Sequence, residues 1–140
     1  MNQAVIFQPF IATMILTMVV WFYMYAWRIP FILRNKLMDG PLTPLDLARV
    51  SPPRVSNPSD NLKNLFELPT VFYAAVLYLY ATQQVDEPYL VAAWVFFAFR
   101  LLHSAVHCTF NLIPLRFTLY AISALALWHM VVRIAWHAAT

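Results

Sequence analysis

From Ala4 to Trp27 no residue is charged. As a helix rising ~1.5 Å per residue this run reaches ~36 Å, enough to cross a hydrocarbon core of ~30 Å. It closes on an aromatic collar, WFYMYAW, followed by Arg28, Arg34 and Lys36, the pattern of an interfacial belt with basic anchors. The pattern then changes. Residues 30–58 hold six of the ten prolines and Gly40, the only glycine, and prolines this dense predict an extended polar connector with at most a short helical turn around Thr43 to Arg49. A second span is expected over 59–84. Ser59 or Asn57 can cap it, and its first turns are loaded with Asp60, Asn61, Lys63, Asn64 and Glu67. Pro69 is expected to kink this span just past Glu67. A third span over 88–111 opens on Pro88, and a fourth runs over 114–137. The short link between these two predicts antiparallel neighbours. The expected architecture is all-α, a single integral-membrane four-helix bundle with spans at about 4–28, 59–84, 88–111 and 114–137.

Composition agrees with that pattern. Of the 140 residues 62% are hydrophobic and 11% charged, against roughly 45–50% and 25% in soluble domains. The formal charge of +3 is not gathered into a basic face with stacking aromatics, so nucleic acid is set aside as a partner and the charge is read as membrane orientation. The first connector carries Arg34, Lys36, Arg49 and Arg54, the second only Asp86 and Glu87. The first connector is therefore expected on the cytoplasmic side. The first basic residue, Arg28, follows the apolar run, so that run is expected to be retained as a span. Cys108 is the only cysteine, which excludes an intrachain disulfide. It is expected to act as a small buried hydrophobe.

Against this apolar background the stretch Arg100 to Tyr120 stands out. Arg100, His103, His107 and Asn111 fall at i, i+3, i+7 and i+11, on one stripe of a helix. A charged group at mid-bilayer costs at least ~2.5–3.5 kcal/mol, so such residues normally face a bundle interior and mark a site. With the connector cytoplasmic, Asn64 and Glu67 enter span two near that face, His103, His107 and Asn111 end span three there, and Arg116, Tyr120 and Ser123 leave from it in span four. Three helices would carry polar groups at one depth. Glu67 is expected to pair with Arg100 or Arg116, either as a structural tie or leaving one arginine to hold an anion. The two histidines could contact a substrate, bond between helices or, with fewer ligands than a metal site needs, bind a metal. Tyr120 could donate to a ligand near Arg116 or belong to an aromatic belt. Lys63 could reach inward or snorkel to lipid phosphates.

These residues resemble a known family. Lys63, Asn64 and Glu67 form KNxxE with a proline soon after, and Arg100, His103, His107, Pro114, Arg116 and Tyr120 form RxxHxxxH followed by PxR and a tyrosine. Both motifs, and four spans with a polar first connector, are similar to the MAPEG family, membrane-associated proteins in eicosanoid and glutathione metabolism. The likeness is closest to its microsomal glutathione transferase and microsomal prostaglandin E synthase branches and to bacterial members. It implies a homotrimer of four-helix bundles in an inner membrane, with glutathione as co-substrate between subunits near the cytoplasmic face. By the resemblance, Lys63, Asn64, Glu67, His103 and Arg116 match glutathione-contacting positions, and Arg116 would stabilise the thiolate. Arg100, His107 and Tyr120 match further positions at the cofactor. Three positions depart from the pattern: Asp60 stands where an arginine is frequent, His107 where a tyrosine contacts glutathione, and Phe117 where the prostaglandin synthases have a serine.

The expectation is a membrane-bound glutathione-dependent transferase or peroxidase acting on hydrophobic electrophiles that arrive from the lipid. The alternative is a noncatalytic protein of the same scaffold binding a lipid or an anionic metabolite.

Overall fold

The computed structural model describes residues 2–38, 40 and 43–139. Asp39, Pro41 and Leu42 of the expected connector lie outside the described residues. Among those described every regular element is helical. A 3-10 turn, Gln3–Ile6, leads into α1 (Phe7–Arg34), α2 (Pro44–Val50), α3 (Pro53–Leu65), α4 (Leu68–Ala81), α5 (Glu87–Cys108) and α6 (Ile113–Ala139).

Three stretches, Gln3–Arg34, Glu87–Cys108 and Ile113–Ala139, are long and apolar enough to cross a membrane. Large apolar side chains on their outer faces, such as Phe22, Leu125 and Val132, are exposed, as lipid contact requires. The helix α1 runs past its expected end near Arg28. Pro30 forfeits only its own N–H bond to the Ala26 carbonyl close to the helix terminus, too small a loss to stop the helix before Arg34. With one glycine in the chain, helix ends fall to other residues: Lys36 (φ 52°) closes α1 and Gln83 (φ 58°) closes α4, both in the left-handed region. In each case the next residue's N–H reaches five residues back, Leu37 to Ile32 and Gln84 to Leu79, a Schellman arrangement.

The connector is more helical than its prolines suggest. Thr43 and Asp46 form a reciprocal capping box that starts α2. Pro53 stands in the first turn of α3, where its missing N–H costs nothing, so that helix begins ahead of Ser59. The expected kink near Pro69 is a full break. Phe66 and Glu67 leave helical geometry (ψ 0° and −97°), and Pro69 has no N–H to offer the Leu65 carbonyl. Residues 59–84 are thus two helices meeting at an angle point.

The core joins α4, α5 and α6. Phe72 stacks on Phe96 with centroids 4.4 Å apart, inside a buried cluster with Val76, Leu79, Ala93, Leu127 and Met130. Gln3 exchanges hydrogen bonds with the backbone of Val85, so the start of the chain and the α4–α5 link share one end of the bundle. At that end Asp86 caps α5 through the Tyr89 N–H and accepts from both terminal nitrogens of Arg133 on α6, at 2.7 and 2.6 Å. The start of α5 therefore meets the end of α6, antiparallel as expected.

Donation from Arg133 holds the Asp86 carboxyl below its ordinary value. A depressed folded pKa contributes stability that is present above the unfolded value, about 3.9, and is lost as pH falls through the lower folded value. The pair is partly solvated, so the contribution is at most about 1 kcal/mol. Thermal unfolding in detergent, followed by circular dichroism, should show wild type losing its advantage over Asp86→Asn as pH drops below about 4. An advantage independent of pH would refute this account.

Candidate functional site

The C-terminal half of α5 carries Arg100, His103, Ser104 and His107 on one face, and all four are buried, Arg100 completely so at 0% exposure. What holds an arginine there is the break in the neighbouring helix. The last carbonyls of a helix have no N–H partner within it. Arg100 Nη2 donates to one of them, the carbonyl of Asn64 near the end of α3, where a cation also suits the negative end of the helix dipole. The same guanidinium lies 5.2 Å from the Tyr120 ring centroid. Tyr120, half-buried on α6, also meets the His103 ring at 5.7 Å, and His103 and His107 lie edge to face at 5.5 Å.

Arg116, in the first turn of α6, closes the cluster. Its carbonyl lies 3.0 Å from His103 Nδ1. A carbonyl only accepts, so Nδ1 carries a proton, and in a neutral ring Nε2 is then an acceptor. The Arg116 side chain donates from Nη1 to Asn111 Oδ1 at 2.7 Å. Four buried nitrogens here have no hydrogen-bond partner among the described residues: Arg100 Nε and Nη1, His103 Nε2 and His107 Nδ1. Buried polar groups are ordinarily paired, and each unpaired one costs about 1–3 kcal/mol, more when charged. One face of α5 thus carries two guanidinium nitrogens and two ring nitrogens that are buried with hydrogen-bonding capacity unused among the described residues.

Several expected members stand elsewhere. Glu67 forms no ion pair with Arg100 or Arg116 among the described residues. It sits exposed at the break preceding α4, because leaving helical geometry there carries its side chain off the face of α3 that Arg100 caps. Asn64 contributes its backbone carbonyl. Asn111 is off the α5 stripe, since the helix ends at Cys108 and Asn111 turns the chain at φ 47°. Its amide still reaches the cluster, bridging Arg116 and Asn57 Oδ1 (3.1 Å). Lys63 is exposed and paired with Asp60 at 2.9 Å. With Arg28, Ser56 and Ser59 both line a cavity of ≈ 500 Å³ between α1, α2 and α3, floored by Leu47 and Val55.

From the sequence, Asn57 is expected as a cap, Asn61 as a first-turn polar residue and Asn64 as a site residue, without the stripe they form on α3. Asn57, Asn61 and Asn64 fall at i, i+4 and i+7, and Asn61, fully buried, accepts from Ser104 Oγ (3.3 Å) and donates to Cys108 Sγ (3.5 Å). Their spacing was the available signal. Cys108 is half-buried and hydrogen-bonded rather than a purely apolar filler. Arg28 was read only as an interfacial anchor. Nearby, Arg54 lies over the Trp27 ring at 3.4 Å, covering one of the belt aromatics.

Long apolar helices with exposed hydrophobic faces, and ionisable side chains gathered inside them, define an integral membrane protein with a polar intramembrane site. The model of the MAPEG family matches residues 6–136, nearly the whole chain. This protein belongs to the MAPEG family, membrane proteins of eicosanoid and glutathione metabolism. Comparison with curated proteins and with solved structures returns no match.

Proposed function

We propose that this protein is a glutathione-dependent transferase or peroxidase acting on hydrophobic electrophiles. The observation that carries this reading is the set of four unpartnered buried nitrogens on Arg100, His103 and His107. Glutathione brings two carboxylates, an ammonium group and a thiol. Arg100 and Arg116 suit the carboxylates or a thiolate, and the free Nε2 of His103 suits an N–H or S–H donor. Lys63, Asn64 and Glu67 would complete the co-substrate's surroundings from the α3 side, with Tyr120 and His107 along the α5–α6 side. Arg116 stands at the positive end of the α6 dipole, and both favour thiolate over thiol. In a transferase that thiolate forms a C–S bond as the leaving group departs with its electron pair. In a peroxidase it takes the distal oxygen, an alcohol leaves, and a second glutathione displaces water to give the disulfide.

The α3–α4 pair is proposed as the fourth crossing, since the chain must return from the connector end to the Gln3–Val85 end between α1 and α5. By the charge of its connector the site faces the cytoplasm, in a bacterial inner membrane, with three copies assembling so that Glu67 and Lys63 meet a neighbour.

The exposed position of Glu67 favours one second reading. A cluster rich in donors and without a carboxylate suits a plain anionic amphiphile held without chemistry. Isothermal titration of the purified protein with glutathione separates the two: the enzyme reading requires saturable binding that weakens at least about tenfold in Arg116→Ala. Absence of glutathione binding, with an anionic lipid bound instead, would decide for the second.

A further inference from the structure

The opposite end of the bundle carries a second polar recess that this chemistry does not use. It encloses ≈ 280 Å³ between the start of α5 and the end of α6 and is lined by Gln84, Asp86, Tyr89, Arg133 and His137. Arg133 spends one N–H of each terminal nitrogen on Asp86 and lays its guanidinium over the Tyr89 ring at 4.3 Å. Its remaining N–H groups are directed elsewhere. Tyr89 is 1% exposed, and its hydroxyl is buried without a hydrogen-bond partner among the described residues. Such a hydroxyl is costly unless something polar meets it.

His129, Arg133 and His137 follow at i, i+4 and i+8 on one face of α6. Along that face, away from the recess, a mainly apolar groove of ≈ 510 Å³ lies between the two helices, walled by Val91, Val95 and Ala126, with Glu87 and His129 also in its lining. A head-sized recess and a chain-sized groove thus flank the first turn of α5. Trp136, exposed beside them, has the side-chain character found at headgroup depth. The charges discriminate between heads. An anionic head would meet Asp86 and Glu87, and a trimethylammonium head has no N–H for them. A primary ammonium next to a phosphodiester matches both halves.

We propose that this recess binds the head of a phospholipid carrying a primary ammonium, with its phosphodiester on Arg133 and the Tyr89 hydroxyl, its ammonium on Asp86 and Glu87, and an acyl chain in the α5–α6 groove. The lipid belongs to the leaflet opposite the Arg100 cluster. It holds the ends of α5 and α6 together where the thiol site cannot.

The test is native mass spectrometry of the full-length protein released from detergent containing equal amounts of phosphatidylethanolamine, phosphatidylcholine and phosphatidylglycerol with matched acyl chains. Wild type should retain phosphatidylethanolamine about tenfold over either competitor. Tyr89→Phe keeps the ring beneath Arg133 and removes only the hydroxyl. It should lower retention of phosphatidylethanolamine about tenfold, as expected for one hydrogen bond to a charged group, with the order among the three lipids kept because all carry the phosphodiester, and without lowering the thermal midpoint in lipid-free detergent. Glu87→Gln, on the exposed rim, should instead lower the preference for phosphatidylethanolamine over the other two about threefold. Equal retention of the three lipids by wild type, unchanged retention in Tyr89→Phe, or an unchanged preference in Glu87→Gln overturns the proposal. Glutathione titration of the same samples reports on the other site independently and should be unaffected.

Discussion

Arg116→Ala is expected to lower kcat/KM for glutathione and a small aryl halide such as 1-chloro-2,4-dinitrobenzene by about 10²–10³-fold, the usual loss when one fixed donor to a developing or resident anion is removed. The reasoning begins with where Arg116 lies. It stands in the first turn of α6, its carbonyl orients His103 and its guanidinium is steadied by Asn111. A thiolate beside it gains from the full charge and from the helix dipole together. Each pKa unit by which the bound thiol is depressed corresponds to about 1.4 kcal/mol. With glutathione saturating, the acid limb of the kcat/KM profile for the aryl halide, which reports the enzyme–glutathione complex, should therefore move upward by about one to two pH units in Arg116→Ala. Arg116→Lys restores a charge but not the fork held by Asn111, and should recover about tenfold. A tenfold or greater loss with an unmoved acid limb would show that Arg116 positions the substrate and leaves the thiol's ionisation alone, contrary to the proposed mechanism.

How far this arrangement could be read beforehand differs from residue to residue. The α5 stripe was legible because apolar surroundings make an arginine and two histidines at helical spacing improbable unless they point inward, and Arg100, His103 and His107 do. Pro69 announced trouble in the second span. It did not announce that Phe66 and Glu67 would both leave the helix, because one missing N–H is tolerated or not according to what receives the orphaned carbonyls. Arg100 receives one of them, through Asn64. That donation compensates the break that Pro69 opens, and it depends on how α3 and α5 pack. Asn57 and Asn61 read as a cap and a first-turn polar residue for another reason: amides are routine in those roles, so these two gain meaning only once Asn111 and Ser104 are seen opposite. Arg28 was discounted because interfacial anchors have the same composition as a cavity wall. The end of α1 was misjudged by its proline, whose penalty is small this close to a helix terminus.

Arg100→Met should cut the thermal stabilisation by glutathione to a third or less while leaving the ligand-free protein as stable as wild type or more so. Methionine matches the length of the arginine stem and introduces no polar atom. In the free protein it forfeits the bond to the Asn64 carbonyl, about 1.5–3 kcal/mol for a charged donor, and the contact with Tyr120, about 0.5–2 kcal/mol. Against this it removes a fully buried guanidinium with two unpartnered nitrogens, whose desolvation costs several kcal/mol. The balance is near zero or favourable. With ligand the sign reverses, because an anion that would meet the guanidinium meets a thioether instead. A loss of about 2–5 kcal/mol on truncating one partner of a buried charge pair corresponds to at least about 30-fold in affinity. Wild type at a glutathione concentration 100 times its Kd gains about 2.7 kcal/mol, visible as a rise of several degrees in the unfolding midpoint, and the variant at the same concentration should gain at most about 0.9 kcal/mol. A ligand-free variant that unfolds ten or more degrees below wild type would identify Arg100 as a pin between α3 and α5, kept for the fold rather than for a guest.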